Sequence, residues 1–293
     1  MALNSIRNAL KKFVTLVSAA ESLGSFGIGD KGGLFHVFDC KDRAFQRSGL
    51  VLGKRFVHKG QHFALLSEIM LQQTQVSRVL LKYEEFKSAF PTLQALAEAD
   101  FQEVLSHWSG LGYNRRARFL HETAKMLVAQ KSFPDDADSL QKCPGIGENT
   151  AAAIVVYAFN KPLTFLETNV RTVLIYSFFQ EADEKIDEHV LKDLAEQTLY
   201  VKNPRKWYWA LMDYGTYLKK TEGNFNRKST KHTIQSKFEG SFRQKRAATL
   251  RCLLKNGPMT IDELAETQGF EAALMVEIVD TLKKDSLVTD INC

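Results

Sequence analysis

From His62 onward, apolar residues recur at three- and four-residue spacing. Phe63, Leu66, Ile69 and Met70 form one stripe; Val79, Leu80, Tyr83, Phe86 and Phe90 form a second, closed by Pro91. This period predicts amphipathic helices. Thr92 and Asp100 precede two shorter apolar stretches, Leu93 to Glu98 and Phe101 to Trp108, where small polar side chains can cap free amides. After the turn Gly110-Leu111-Gly112, a long helix is expected over Tyr113 to Gln130. A short helix over about Ala137 to Lys142, capped by Asp135 or Asp136, comes next, and Pro144 stops it. Helices over Glu167 to Phe179, Asp187 to Tyr200 and Pro204 to Lys220 complete an all-α core.

The two ends read differently. Residues 1–60 are a poorly defined segment: Ser5 to Ala20 could be helical, closely spaced glycines follow, and Ser48 to Gly53 reads as a short strand or a loop. The tail has its own pattern. A helix ends near Asn256-Gly257, Thr260 caps Ile261 to Gln268, a third helix spans about Glu271 to Asp285, and Leu287-Val288-Thr289 could be a strand. That order is the outline of a winged-helix module, which binds DNA or protein equally well. The expected layout is therefore an N-terminal segment 1–60, a core 61–218, a linker 219–246 and a winged-helix-like tail 247–293.

Charge adds a direction. The formal net charge is +5, a weak argument for a polyanionic partner. Its distribution says more. Between Lys219 and Arg251, ten Lys and Arg residues, among them Lys220, Arg227 and Lys228, face only Glu222 and Glu239, with Phe225, Phe238 and Phe242 interleaved. This fits an extended phosphate-contacting segment, with a solvated linker as the rival. Arg115, Arg116 and Arg118 crowd a helix start, where they oppose the helix dipole and would serve a ligand better than the helix. The four cysteines are scattered without a CxxC pair, so neither a metal knuckle nor a disulfide framework is indicated. No apolar run is long enough to span a bilayer, and the N-terminus lacks a clear signal-peptide core. Reduced thiols and a cytoplasmic setting are expected.

The stretch Cys143 to Ile154 reads as two helices pinched around a glycine hairpin. Gly145 and Gly147 permit unusual backbone conformations, and Thr150 opens the second helix, whose free amides suit a phosphate. An ordinary helical hairpin fits equally well. Two acids tip the balance. Glu68 lies within an apolar helical stretch, where burial would raise its pKa; a solvated polar face is the alternative. Glu167 opens a helix just after the hairpin, where a plain capping role is the alternative. One acid holding a proton and one ionised carboxylate form the pair that breaks a glycosidic bond.

The blocks Ser67 to Val76, Gly110 to Tyr113, Arg116 to His121, Pro144 to Ile154 and Thr168-Asn169-Val170 are collinear over roughly 62–218. Together they resemble the helix-hairpin-helix (HhH-GPD) DNA glycosylases, and most closely the adenine mismatch glycosylases of the MutY type. The resemblance implies a two-lobed helical fold. It implies that Glu68 protonates the purine, that Glu167 stands for the family's catalytic aspartate, and that Asn169 supports the site. Gln72, Gln73 and Tyr113 would enter the duplex, and the hairpin Gly145, Ile146 and Gly147 would grip phosphate. Asn149 sits where lyase-type relatives carry a Schiff-base lysine, so a monofunctional enzyme is expected. The implied substrate is adenine opposite 8-oxoguanine or guanine in double-stranded DNA. The implied protein is a nucleoid-associated monomer, whose tail could contact protein or DNA. Another base (uracil, thymine, an alkylated purine) and a non-cutting lesion binder are the rival readings.

The sequence also departs from that family. The catalytic aspartate is Glu167. The four-cysteine iron–sulfur motif is missing, since no cysteine lies between Tyr217 and Cys252; no cluster and no other cofactor or metal is expected. Lys54 to His58 stand in place of the Leu-Pro-Trp-Arg segment, and Trp209 stands where relatives place a glutamine or glutamate that reads adenine. A winged-helix-like tail is expected in place of the large 8-oxoguanine-reading domain of relatives.

Overall fold

The computed structural model describes residues 60–234 and 236–288. The expectations for residues 1–59, including Lys54 to His58, and for Thr289 lie outside the described residues. No helix among the described residues is long and apolar enough to cross a membrane.

The described chain is helical and divides into two compact units. The first unit holds residues 148–233. Its helices are α7 (Glu148–Phe159), α8 (Thr168–Phe179), α9 (Glu188–Thr198) and α10 (Pro204–Thr221), with a short 3-10 turn at Phe225–Lys228. α8 is the centre of this unit and packs on α9, α10 and the 3-10 turn. Val170, Thr172, Val173 and Ile175 give it a run of β-branched residues, poor helix formers on their own. All four are buried. Burying the valines and the isoleucine stabilises by about 1.5–3 kcal/mol each, far more than the propensity costs. Thr172 settles its hydroxyl on the Thr168 carbonyl at 2.7 Å.

The second unit holds residues 60–147 and 234–288. It contains α1 (Gln61–Leu71), α2 (Val76–Ala89), α3 (Leu93–Glu98), α4 (Phe101–Trp108), α5 (Arg115–Ala129), α6 (Ala137–Gln141), α11 (Phe242–Asn256), α12 (Ile261–Gln268) and α13 (Ala272–Lys284). The expected caps are in place. Thr92 accepts from the Ala95 amide, Asp100 from Gln102, and Asp136, not Asp135, from Ser139. Thr260 and Glu263 form a reciprocal capping box at the start of α12.

The layout of the tail needs correction. The stretch 219–246 is not one extended linker. α10 runs to Thr221, the 3-10 turn follows, and α11 begins at Phe242 and runs through the expected boundary at 246. Helices α11, α12 and α13 do form a bundle, with Leu250, Leu253, Leu264, Met275, Ile278 and Leu282 buried. Leu287 and Val288 are buried but not in a strand. The bundle belongs to the second unit instead of standing apart. Arg115 of α5 meets Asp285 at 3.3 Å, and Asp285 also holds Arg246. Arg243 donates to the Tyr113 hydroxyl at 3.1 Å.

Candidate active site

Within the first unit, three anchors fix the approach to Glu167. The Tyr208 hydroxyl accepts from the Phe165 amide at 3.1 Å, and the two rings stack with centroids 3.9 Å apart. Asn149, in the first turn of α7, accepts from the Leu166 amide at 3.0 Å through Oδ1. Glu167 then caps α8, its Oε1 accepting from the amides of Asn169 (2.5 Å) and Val170 (3.1 Å). The capping role is therefore real, and it does not exhaust the residue. Burial pushes the Glu167 carboxyl above the usual carboxylate range, against the pull of Lys219, the two amides and Arg171. Glu167 is half-buried, so its carboxyl is partly desolvated while its charge is supported by the amides and by Lys219.

Asn169 lies beside it, half-buried and gripped by α10. Its Oδ1 accepts from Lys219 Nζ at 2.6 Å, and its Nδ2 approaches Met212 Sδ at 3.7 Å. This close approach requires Gly215. A Cβ there would stand 2.6 Å from the Asn169 carbonyl oxygen and 2.8 Å from its Cα. Met212 and Lys219 lie seven residues apart on α10, along one stripe with Trp209 and Thr216. Trp209 is half-exposed on that stripe, one turn before Met212.

In the second unit, Glu68 is half-buried among the buried Leu65, Leu66, Ser67, Ile69 and Met70 of α1. The loop that ends α1 and the loop that starts α5 are tied by Arg116. Its guanidinium donates to the carbonyls of Ile69 (2.8 Å), Met70 (3.0 Å), Gln72 (2.6 Å) and Gly112 (2.9 Å), and to Thr74 Oγ1 (2.8 Å). Arg116 is thus corrected from a DNA contact to an internal tie: it is 7% exposed and turned inward. Desolvation lowers its pKa to about 10. Each loop carries a non-glycine residue with left-handed backbone, Gln73 (φ 52) and Tyr113 (φ 49). Both are exposed. Gln72 points instead to the hairpin, donating to the Gly145 carbonyl at 3.3 Å.

The hairpin glycines differ. Gly145 has φ 73, and a Cβ would lie 2.6–2.9 Å from the Phe119 side chain, so both backbone and space demand glycine. Gly147 has no positive φ and open space around a Cβ, which corrects the expectation that its backbone needs glycine. The Ile146 side chain is buried, so the backbone alone of that residue can meet a ligand. Thr150 is half-buried in the first turn of α7.

The basic segment also divides. Lys220 and Arg227 are exposed, as is Arg115 beside the Phe119 ring. Lys228 is turned inward, donating to the carbonyls of Gln180 (2.8 Å) and Ala182 (2.7 Å). Lys219 is bound to Asn169. Both are half-buried and bonded to protein oxygens, so these two are corrected from free phosphate contacts to internal ties. The lone signal in the sequence for Lys219 is its place one turn beyond Gly215 on an otherwise buried face.

The residues present do not fit an iron–sulfur cluster. The stretch after Tyr217 offers Lys219 and the 3-10 turn, whose Phe225 packs edge-on against Tyr176 at 5.1 Å. Among the described residues no three His, Cys, Asp or Glu side chains gather as a ligand set.

Residues 66–197 match the family model described as HhH-GPD superfamily base excision DNA repair protein. An adenine DNA glycosylase of Buchnera aphidicola subsp. Baizongia pistaciae is 35% identical over 164 residues, 55% of this chain and 47% of its own. An adenine DNA glycosylase of Rattus norvegicus is 38% identical over 155 residues, 51% of this chain and 30% of its own. That of Mycobacterium tuberculosis (strain H37Rv) is 39% identical over 121 residues, 41% of this chain and 40% of its own. The chain thus spans less than half the length of these curated relatives. The match begins within α1, covers α2 to α8 and ends at the penultimate residue of α9, and it contains Glu68, the hairpin, Glu167 and Asn169. Over residues 66–197 this chain is thus similar to the HhH-GPD superfamily of base excision DNA repair proteins.

Proposed function

We propose that this protein is a monofunctional DNA N-glycosylase that releases adenine mispaired with 8-oxoguanine or guanine. The observation that carries the reading is the capped, charge-supported Glu167 carboxyl beside Asn169, inside a domain whose matched relatives are named adenine DNA glycosylases. In this reading the target nucleotide leaves the stack. Glu68 gives a proton to the purine, the C1′–N9 bond breaks with its electron pair going to the base, and the sugar develops oxocarbenium character. Ionised Glu167 stabilises that cation, and water adds to C1′ with loss of a proton. Asn149 carries an amide where a lyase needs an amine, and it is engaged with the Leu166 backbone, which supports hydrolysis without strand cleavage. No iron–sulfur cluster takes part in this proposal, because the donor set does not fit one. Lys220, Arg227 and Arg115 are the proposed phosphate contacts, and Gln73 and Tyr113 the proposed duplex-entering side chains.

Trp209 favours a second reading. A half-exposed indole on the α10 stripe cannot reproduce the paired hydrogen bonds of a glutamine to adenine, so a different base is the specific rival. The test is a duplex series with adenine opposite 8-oxoguanine or guanine, and with uracil, thymine or alkylated purines. Strand breaks that need alkali, highest for the adenine mismatches, are expected. Breaks with another base alone favour the rival, and none in any duplex overturns both.

A further inference from the structure

The lysine at position 219 is an unusual neighbour for an amide and a half-buried carboxyl. It sits in the last turn of α10, half-buried, beside the exposed Lys220. An ammonium withdrawn from water costs several kcal/mol unless oxygen atoms replace its hydration. Here the oxygen is Asn169 Oδ1 at 2.6 Å. An ammonium has donors and no acceptor, so the Asn169 amide must turn its oxygen toward Lys219 and its nitrogen the other way. Met212 Sδ, a weak acceptor 3.7 Å from Nδ2, agrees with that orientation. Among the described residues, Lys219 and Arg171 are the cations whose charge pulls the Glu167 carboxyl down, Lys219 the more strongly. Arg171 is already paired with Glu188, its Nε 3.0 Å from Oε2. Among the described residues no carboxylate pairs with Lys219 as Glu188 does with Arg171, and its main charge partner is Glu167.

We propose that Lys219 is a positioning residue of the Glu167–Asn169 site: its ammonium fixes the Asn169 amide with the oxygen inward and supplies the positive charge facing the Glu167 carboxyl. Glutamate in place of aspartate carries its carboxyl one methylene further from the backbone, where the helix amides alone hold one of its two oxygens. A cation on the adjoining helix compensates. Lys219 then acts through Glu167 and Asn169 and not on DNA phosphate. The role rests on the glycosylase reading for its consequence in turnover, though the pairing itself does not depend on it.

The experiment uses the full chain, with ¹³C-labelled glutamate carboxyls and ¹⁵N-labelled lysines followed by NMR across pH. In Lys219→Met the Glu167 titration is expected to move up by about one pH unit, and in Lys219→Arg to return toward the wild type. Base release by Lys219→Met should then fall by roughly tenfold more at the acid end of the profile than at the alkaline end. A Glu167 titration unmoved by Lys219→Met overturns the proposal. If that variant does not fold, Glu167→Gln serves: the Lys219 ammonium should titrate at lower pH there than in the wild type, and an unchanged titration overturns the pairing. Borohydride trapping of DNA on the wild type that vanishes in Lys219→Arg also overturns it, since Lys219 would then be a nucleophile. Loss of the proposed function is distinguishable from loss of this inference: a wild type that releases no base but shows the coupled titrations refutes the former alone.

Discussion

The Arg116 guanidinium, one residue into α5, donates a 2.6 Å hydrogen bond to the carbonyl of Gln72, just past the end of α1. Through this contact and its neighbours, one buried cation closes the C-terminal end of a helix and holds the loop that begins the next. The carbonyls at a helix end have no partners of their own, and a cation there is favoured by the helix dipole. The same side chain reaches the Gly112 carbonyl, so the loops bearing Gln73 and Tyr113 share one anchor.

Replacing Arg116 by Met should therefore act on stability first. Several carbonyls would lose their donor together, at about 1–3 kcal/mol for each left unsatisfied. We expect the urea midpoint to fall by an amount matching 3 kcal/mol or more. An unchanged midpoint with weaker DNA binding would return Arg116 to the phosphate contacts.

Two glycine substitutions separate geometry from ligand approach. Gly215→Ala puts a methyl 2.6 Å from the Asn169 carbonyl oxygen, and Gly145→Ala meets Phe119 with φ 73. Each should lower the thermal midpoint, and Gly215→Ala should also disturb base release by moving Asn169. Gly147→Ala meets nothing within 4 Å and should unfold like the wild type. If it nevertheless loses affinity for duplex DNA, the chain passes close to phosphate at that residue.

Glu167→Gln should separate activity from stability. The carboxyl is raised by burial. Its native form thus binds a proton more readily than the unfolded chain, and stability declines as pH rises through the raised value. Glutamine can keep the cap through its amide oxygen and carries no charge. The variant should release no base, and its thermal midpoint relative to wild type should improve as pH rises from about 4 toward 8. A wild-type advantage that grows with pH would mean that Glu167 is stabilised as the anion beyond what its burial costs. Unchanged turnover would remove the residue from the chemistry.

The basic residues should sort by salt. Lys220→Ala and Arg227→Ala are expected each to reduce the slope of log binding constant against log salt by about 1, without altering the unfolding midpoint. Lys228→Ala frees the carbonyls of Gln180 and Ala182, so it should change stability more than the slope. Equal slopes in all three variants would take the segment out of the phosphate interface.

Local patterns in the sequence carried the helices and their caps, since capping and amphipathicity act within a few residues. Thr92, Asp100 and Thr260 each accept from an amide two or three residues on, which a linear reading can find. The same reading found Glu167 at its helix start, and the blocks around Glu68 and Asn169 that mark the domain. It could not tell which cations face solvent. Arg115 and Arg116 are adjacent, yet a rotation of about 100° along the helix makes one exposed and the other a buried tie. Lys219 and Lys220 part in the same way. Nor could it tell Gly145, which needs φ 73 and the space beside Phe119, from Gly147, which needs neither. The tail was read as a separate module because α11 to α13 carry their own apolar pattern. Within the second unit it is tied back by contacts such as Asp285 with Arg115, 170 positions away in the chain, and Arg243 with Tyr113. Sequence alone determined the helical elements, their caps and the identity of the chemical groups, because these depend on neighbours in the chain. Tertiary structure decided which charges are spent inside the fold and which remain for a ligand, because burial and partner oxygens come from residues far apart in sequence.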